Sequence, residues 1–421
     1  MNKQLTYIQI LKEELVPALG CTEPISIAYA AAKARAVLGA FPEEITVKCS
    51  GNIIKNVKGV VVPMTKNMRG IKVAAILGAV GGDWTRGLEV LSSVQPEHLE
   101  ETRRLLESGM CKEEILTTCH CLHIIVEMKA GTAQSLVEIS HGHMNVVRVE
   151  KDGLAISAKE GVEEEELPKG DRSTLNIADI LTFANEVDIT LVSDLLEQQI
   201  AYNSAISEEG LSGLYGANIG ATLLKGFGED VKTRAKARAA AGSDARMSGC
   251  ELPVVINSGS GNQGMTVSLP VIEYAKELNS TQEELYRALC VSNLVAIHQK
   301  TKIGKLSAYC GAVSAAAGAG AAIAYLHGDG LHEVSLTITN TLANVSGIVC
   351  DGAKPSCAAK IASSIDAAIM AYAMARQGRS FGAGEGLVKE DIEQTLDNIG
   401  NMARHGMKET DQVILELMTK G

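Results

Sequence analysis

A chain of 421 residues is long enough for two domains and a large core. Its formal net charge of −11 argues against nucleic acid as the main partner and leaves no polybasic membrane anchor. Aromatic residues make up only 3% of the chain while Gly is abundant and Ala crowds the second half, so the core must rest on close helix contacts rather than bulky side chains.

The first residues lack the apolar run and cleavage site of a signal peptide. Ten cysteines without such a signal imply a reducing cytoplasm and mostly free thiols. Leu5, Ile8, Ile10, Leu11 and Leu15 recur near the helical period. Pro17 and Gly20 interrupt that pattern, and Gly20-Cys21-Thr22-Glu23-Pro24 opens a second helix over 25–38. Pro24 suits its first turn and Thr22 its N-cap. Cys21 then lies at a positive helix end, which favours a thiolate and a lowered pKa. A packed core thiol at a helix junction is the other reading.

Ile45, Val47 and Cys49 alternate as a strand, Ser50-Gly51-Asn52 reads as a turn, and strand character resumes over 57–62. Asn52, Lys55, Asn56, Lys66 and Arg69 gather around this hairpin-like region. They are either a solvated loop or, with Asn52 and Lys66 as the candidates, ligands for a substrate carboxylate. Residues 84–108 read as helix. Cys119-His120-Cys121-Leu122-His123 resembles a metal motif, but strand spacing does not make ligands converge, so two small thiols on a packed sheet face are expected. Strand pattern continues over 134–150, with His141 and His143 as turn residues around Gly142.

Glu163-Glu164-Glu165-Glu166 and Pro168-Lys169-Gly170 read as an exposed linker. Beyond it the segments 176–186, 190–207, 211–225, 230–247, 265–278, 282–296 and 306–326 favour helix. The expected fold class is therefore α+β. A mixed amino-terminal domain (1–170) carries the Gly-Cys-Thr-Glu-Pro motif, and a mostly helical, Ala- and Gly-rich catalytic bundle (171–421) follows. The uncharged stretch 306–326 is long enough to span a bilayer, but its Ala, Gly and Ser suit a helix buried in a tight bundle.

Two features of the second half carry chemistry. Ser258-Gly259-Ser260-Gly261-Asn262 precedes a helix, where backbone amides and the helix end favour an anion. No Gly-Lys-Ser/Thr follows, so a carboxylate suits it better than phosphate, and an ordinary Gly-rich turn is the alternative. Cys310 lies in an apolar segment, while Cys350 and Cys357 flank Asp351-Gly352-Ala353-Lys354-Pro355-Ser356, a loop able to turn both sulfurs to one point. Converging thiolates suit zinc or an iron–sulfur cluster, and three ligands leave one metal position open to substrate. Isolated core thiols are the bland reading.

Taken together, the Gly20–Pro24 motif, the Cys310 segment and the Cys350-x6-Cys357 loop resemble the L-cysteine desulfidases, relatives of the iron–sulfur L-serine dehydratases. The resemblance runs over nearly the whole chain. It implies an oxygen-sensitive [4Fe–4S] cluster on Cys310, Cys350 and Cys357, an acid/base role for Cys21, and an amino-acid site at Ser258, Gly259, Ser260, Gly261 and Asn262. The related serine dehydratases have a longer spacer between the last two cysteines, which favours the desulfidase branch. The implied reaction is removal of sulfide from L-cysteine, yielding pyruvate and ammonia, without pyridoxal phosphate. Serine dehydration, a non-enzymatic iron–sulfur oxygen sensor and a zinc hydrolase are the rivals. The expected partner is a small amino acid, with neither nucleic acid nor membrane, and a homodimer is compatible with the chain.

Overall fold

The structure, a computed structural model, describes residues 3–118, 120–156, 170–304 and 306–419. The first part contains α1 (Lys3–Glu14), β1 (Pro17–Leu19), α2 (Thr22–Leu38), β2 (Glu44–Cys49), α3 (Gly51–Val57), α4 (Ile71–Gly81) and α5 (Pro96–Ser108). Five strands follow: β3 (Cys111–Ile115), β4 (His123–Ala130), β5 (Ala133–Ser140), β6 (Val146–Lys151) and β7 (Leu154–Ile156). The second part runs through α6 (Ile177–Glu186), α7 (Ser193–Ser212), α8 (Ile219–Phe227), α9 (Val231–Met247), β8 (Pro253–Val255), α10 (Gly261–Glu277) and α11 (Gln282–Ile303). It ends with α12 (Gly311–Leu326), α13 (Leu331–Val345), α14 (Cys357–Ala375), α15 (Ile392–Asn401) and α16 (Lys408–Thr419). This is an α+β fold.

Six strands form one sheet in the order β3-β2-β4-β5-β6-β7, with β2 and β3 parallel and the other pairs antiparallel. Ile45, Val47 and Cys49 are buried along β2, as strand alternation requires. Helices α2 and α4 pack on one another, and α2 lies on β4 and β5. Ser135 Oγ of β5 donates to the Ala34 carbonyl of α2 at 2.8 Å.

In the second part, helices approach closely because Ala and Gly leave room. A Cβ at Gly318 of α12 would stand 2.5 Å from the Ser292 carbonyl oxygen of α11. The segment flagged for its length and lack of charge is thus a core helix, buried from Ala312 to Ala324. One described helix, Cys357–Ala375, is long and apolar enough to cross a membrane, and 56% of its apolar window is buried inside the protein. The hydrophobic core is continuous across position 170. The Glu163–Lys169 linker lies outside the described residues.

Several local expectations are corrected. Gly51–Val57 is a helix, not a turn leading into a strand, because Ile53 and Val57 stand one helical turn apart and both bury completely. The 84–108 segment divides into a short 3-10 turn at Trp84–Glu89 and helix α5. Pro96 in the first turn of α5 and the Gln95 capping box set that start. Helix α12 begins at Gly311, so Cys310 is its N-cap rather than an interior residue. Most consequential for the site, β8 of the helical part pairs antiparallel with β1 at Pro17↔Val255, Ala18↔Val254 and Leu19↔Pro253. This short ribbon sets the segment after Leu19 beside the segment after Val255.

Asp244 of α9 is fully buried. One of its oxygens accepts the Gly220 N–H at 3.0 Å and the other has no partner. Burial pushes its carboxyl up to about 6 from 3.8, so its contribution to stability is full below pH 4 and is lost as pH rises through 6. Asp244→Asn keeps the shape and removes the charge. It is expected to stabilise the protein by about 1–3 kcal/mol at pH 8 and by much less at pH 4, read from denaturant midpoints at the two pH values.

Candidate active site

The ribbon places Cys21, the N-cap of α2, beside the turn that leads into α10. Cys21 Sγ donates to Glu23 Oε2 at 3.0 Å, and Thr22 Oγ1 donates to the same oxygen at 3.2 Å and to the Gly259 carbonyl at 3.0 Å. Asn56 Nδ2 donates to Glu23 Oε1 at 3.0 Å, and His143 Nε2 stands 3.8 Å from that oxygen. Burial alone would raise the Glu23 carboxyl, but His143, the Cys21 thiol and Arg246 hold it down to about 2. The same environment acts oppositely on Cys21. Burial and then the Glu23 charge push the thiol well above its ordinary range, only partly offset by Arg246. The expected lowered pKa is therefore overturned, because desolvation and a carboxylate two residues away outweigh the helix end.

The turn before α10 is tight. Asn257 and Ser260 exchange backbone hydrogen bonds at 3.1 and 3.0 Å, with Ser258 and Gly259 at positive φ. Asn262 Oδ1 accepts from Arg246 Nη1 at 3.2 Å, and Arg246 Nε donates to the Gly20 carbonyl at 2.9 Å. Arg246 is 3% exposed, yet among the described residues no carboxylate lies within ion-pair distance of it. Gly261 backs directly onto this guanidinium, where a Cβ would stand 2.4 Å from Nε. A buried cation against a helix start, with no direct ion pair among the described residues, has the chemistry to accept a carboxylate.

The cysteines meet from the other side. The Cys310 N–H donates to the Ile348 carbonyl at 3.1 Å and the Cys350 N–H to the Ala308 carbonyl at 2.6 Å, around a Tyr309–Val349 bridge. Cys357 begins α14. All three line one cavity of about 100 Å³ together with Cys21, Glu23 and Arg246. His143, Ser258, Gly259, Ser260, Asn262 and Asn52 also face it. Burial and the neighbouring Cys350 and Cys357 sulfurs push the Cys310 thiol up to about 12. Lys300, also buried and on the same wall, is held down to about 8 by burial.

The structure thus gathers Cys21, Cys310, Cys350, Cys357, Asn52 and the 258–262 turn around one space. Lys66 is not among them. It is exposed at positive φ on the turn after Pro63 and does not line the cavity. Cys119 lies outside the described residues, and Cys121 is exposed beside a neighbouring cavity with His120 and His141 rather than on a packed sheet face. His123 Nε2 is instead paired with Glu138 at 2.8 Å. Among the described residues no group of three or more His, Cys, Asp or Glu is set to hold a single metal ion. A multi-iron cluster is wider, and its thiolates stand further apart.

Glu23, His143, Arg246 and Lys300 escaped the sequence reading as functional groups. Glu23 was visible inside the Gly20–Pro24 motif, and a charged residue after a candidate active-site cysteine was signal enough. The other three carry no local signal, since only the fold shows that they are buried around one cavity.

Residues 85–416 match the family model of the serine dehydratase alpha chain, and the chain belongs to that family of dehydratase-type enzymes. The match takes in the three converging cysteines, Arg246 and the 258–262 turn. Over 411 residues the chain is 60% identical to a UPF0597 protein of Lachnoclostridium phytofermentans, covering 98% of both chains. It is 51% identical over 413 residues to a UPF0597 protein of Desulfitobacterium hafniense, covering 98% of this chain and 96% of that one. A UPF0597 protein of Treponema denticola is 48% identical over 425 residues, covering 100% and 99%.

Proposed function

We propose that the chain is a cytoplasmic carbon–sulfur lyase that eliminates hydrosulfide from L-cysteine, with a [4Fe–4S] cluster on Cys310, Cys350 and Cys357. The observation that carries this reading is one cavity lined by three cysteines, the Cys21–Glu23 pair and a buried arginine without an anion. The donor set fits the cluster: three cysteine sulfurs line one cavity, close enough that the Cys350 sulfur raises the thiol pKa of both Cys310 and Cys357, and membership in the serine dehydratase alpha chain family supports iron–sulfur chemistry. When bound, a cluster with one iron lacking a protein thiolate supplies a Lewis acid for the departing sulfur.

The protein's own groups do the rest. Arg246 and the start of α10 hold the substrate carboxylate, with Ser258 to Asn262 shaping the turn around it. Asn52 also lines the cavity, and its Oδ1 is buried without a donor, available to accept from a polar substrate group. The Cα proton passes to the Cys21–Glu23 pair, while the Cβ–S electrons leave with sulfur as hydrosulfide. The aminoacrylate left behind tautomerises and hydrolyses to pyruvate and ammonia. Because the resting charge lies on Glu23 and not on Cys21, the pair rather than a free thiolate is the acid/base unit.

Two consequences are measurable. Cys21→Ser and Glu23→Gln are each expected to lower kcat by about 10²-fold or more, while the visible spectrum of the reconstituted protein is kept. Near-native turnover by either folded, iron-loaded variant contradicts the assignment. L-serine is the second reading, favoured by the family description. Comparison of kcat/KM for the two amino acids tests the substrate: the account expects cysteine to be preferred, and a preference for serine would move the chain to dehydration by the same site.

A further inference from the structure

We propose that α16 acts through Lys55 as a buttress for Cys350, making Lys55 and Asp411 positioning residues for the metal-binding loop. The inference rests on the reading of Cys350 as a cluster ligand.

Lys55 of α3 is 2% exposed. Its Nζ donates to the backbone carbonyl of Cys350 at 3.1 Å and pairs with Asp411 Oδ1 of α16 at 2.5 Å. The other Asp411 oxygen accepts from Asn52 Nδ2 at 2.7 Å, on the same turn of α3. The loop lies directly on this helix. Gly352 has φ +98°, and a Cβ there would stand 2.3 Å from the Lys55 carbonyl oxygen. The Cys350 N–H is already taken by the Ala308 carbonyl, so the residue is held on one side by its own neighbourhood and on the other by Lys55.

Helix α16 packs against α3. None of its described residues is fully buried, and Val413 and Leu417 are exposed. Its contacts with the body include the Asp411 pair, Leu415 against Gly51 and a hydrogen bond from Lys58 Nζ to the Met418 carbonyl. Asp411 is the only carboxylate paired with Lys55 among the described residues. An ammonium this deeply buried stays in place only with a counter-charge. Asp411 therefore fixes Lys55 across 356 residues of sequence, and Lys55 fixes the Cys350 carbonyl across 295.

The test uses the full chain. Asp411→Asn, Asp411→Glu and the double variant Lys55→Met/Asp411→Leu are compared with wild type. The readouts are iodoacetamide labelling of each cysteine in metal-free protein, iron retained after timed exposure to air, and the global unfolding midpoint. Loss of the clamp should raise labelling of Cys350 about tenfold or more, as a local opening does, with Cys290 in the core unchanged. Iron should be lost faster in air, and Asp411→Glu should recover most of both effects. The double variant removes both charges, so it reports on the clamp even where Asp411→Asn is too unstable to fold. Wild-type labelling at Cys350 in folded variants, with wild-type iron retention, overturns the buttress and leaves the cluster reading standing. Wild-type protein that takes up no iron overturns both.

Discussion

Single replacement of Cys310, Cys350 or Cys357 by Ala is expected to take anaerobically reconstituted protein from about four irons per chain to below about one, with loss of its broad visible absorption. Each cysteine reaches the cavity from a different element: Cys310 as the N-cap of α12, Cys350 from the loop before α14 and Cys357 from the first residue of α14. Among the described residues the other cysteine on the cavity wall is Cys21, which hydrogen-bonds to Glu23. Cys49, Cys111 and Cys290 are buried away from the cavity, and Cys121 opens to a neighbouring one. Cys121→Ala should therefore keep both iron and colour. Zinc in place of iron would show as metal without visible absorption. Normal iron content in all three variants would remove the ligand assignment.

The second large effect is expected at Arg246. In the proposed mechanism a substrate carboxylate pairs with this buried guanidinium, and truncating one partner of a buried charged hydrogen-bonded pair costs about 2–5 kcal/mol. Arg246→Met should lower kcat/KM by about 30- to 1,000-fold or more, since each 1.4 kcal/mol is tenfold. The same change leaves the Gly20 carbonyl and Asn262 Oδ1 without their donor, so some loss of stability is expected too. Iron content separates the two effects. A folded Arg246→Met protein with a normal cluster and a raised KM fits a carboxylate anchor. Unchanged kinetics would assign Arg246 to structure alone. Arg246→Lys should recover only part of the loss, because a point charge cannot hold Gly20, Asn262 and a carboxylate at once.

Much of this was legible in the residues. The alternation of Ile45, Val47 and Cys49, the helical second half and the clustering of small residues at 311–326 follow from period and composition, which are local properties. The three cysteines, Cys21 and the 258–262 turn stood out because Cys and Gly are informative by type and spacing. What failed was what tertiary structure decides. Strands β1 and β8 are three residues long with a proline each, and only their pairing makes them strands. Ile53 and Val57 fit a short strand or a short helix, and burial selected the helix. His143 looked like a turn residue, and it is one, but the turn is folded inward so that its Nε2 is buried without a hydrogen bond beside Glu23. Arg246 sits in α9 among other charged residues, and its place on the cavity wall beside Glu23, without a direct ion pair among the described residues, is a fact of packing alone. Lys66 shows the converse error, since a polar residue near a functional region need not face it.

The Cys21 correction has the same origin. A helix start argues for a thiolate, but the argument omits the low-dielectric surroundings and a carboxylate at 3.0 Å. Helix-end effects are modest, whereas burial of a charge is not. In the proposed mechanism the chemistry accordingly rests on the pair, with Glu23 as its charged member.

The most direct measurement is made on wild-type protein, reconstituted anaerobically and assayed for iron per chain together with sulfide and pyruvate released from L-cysteine. The account predicts about four irons per chain and equal amounts of sulfide and pyruvate, both lost on exposure to air before the fold is lost. A protein that binds the cluster but forms neither product, or one that binds no iron at all, would contradict it.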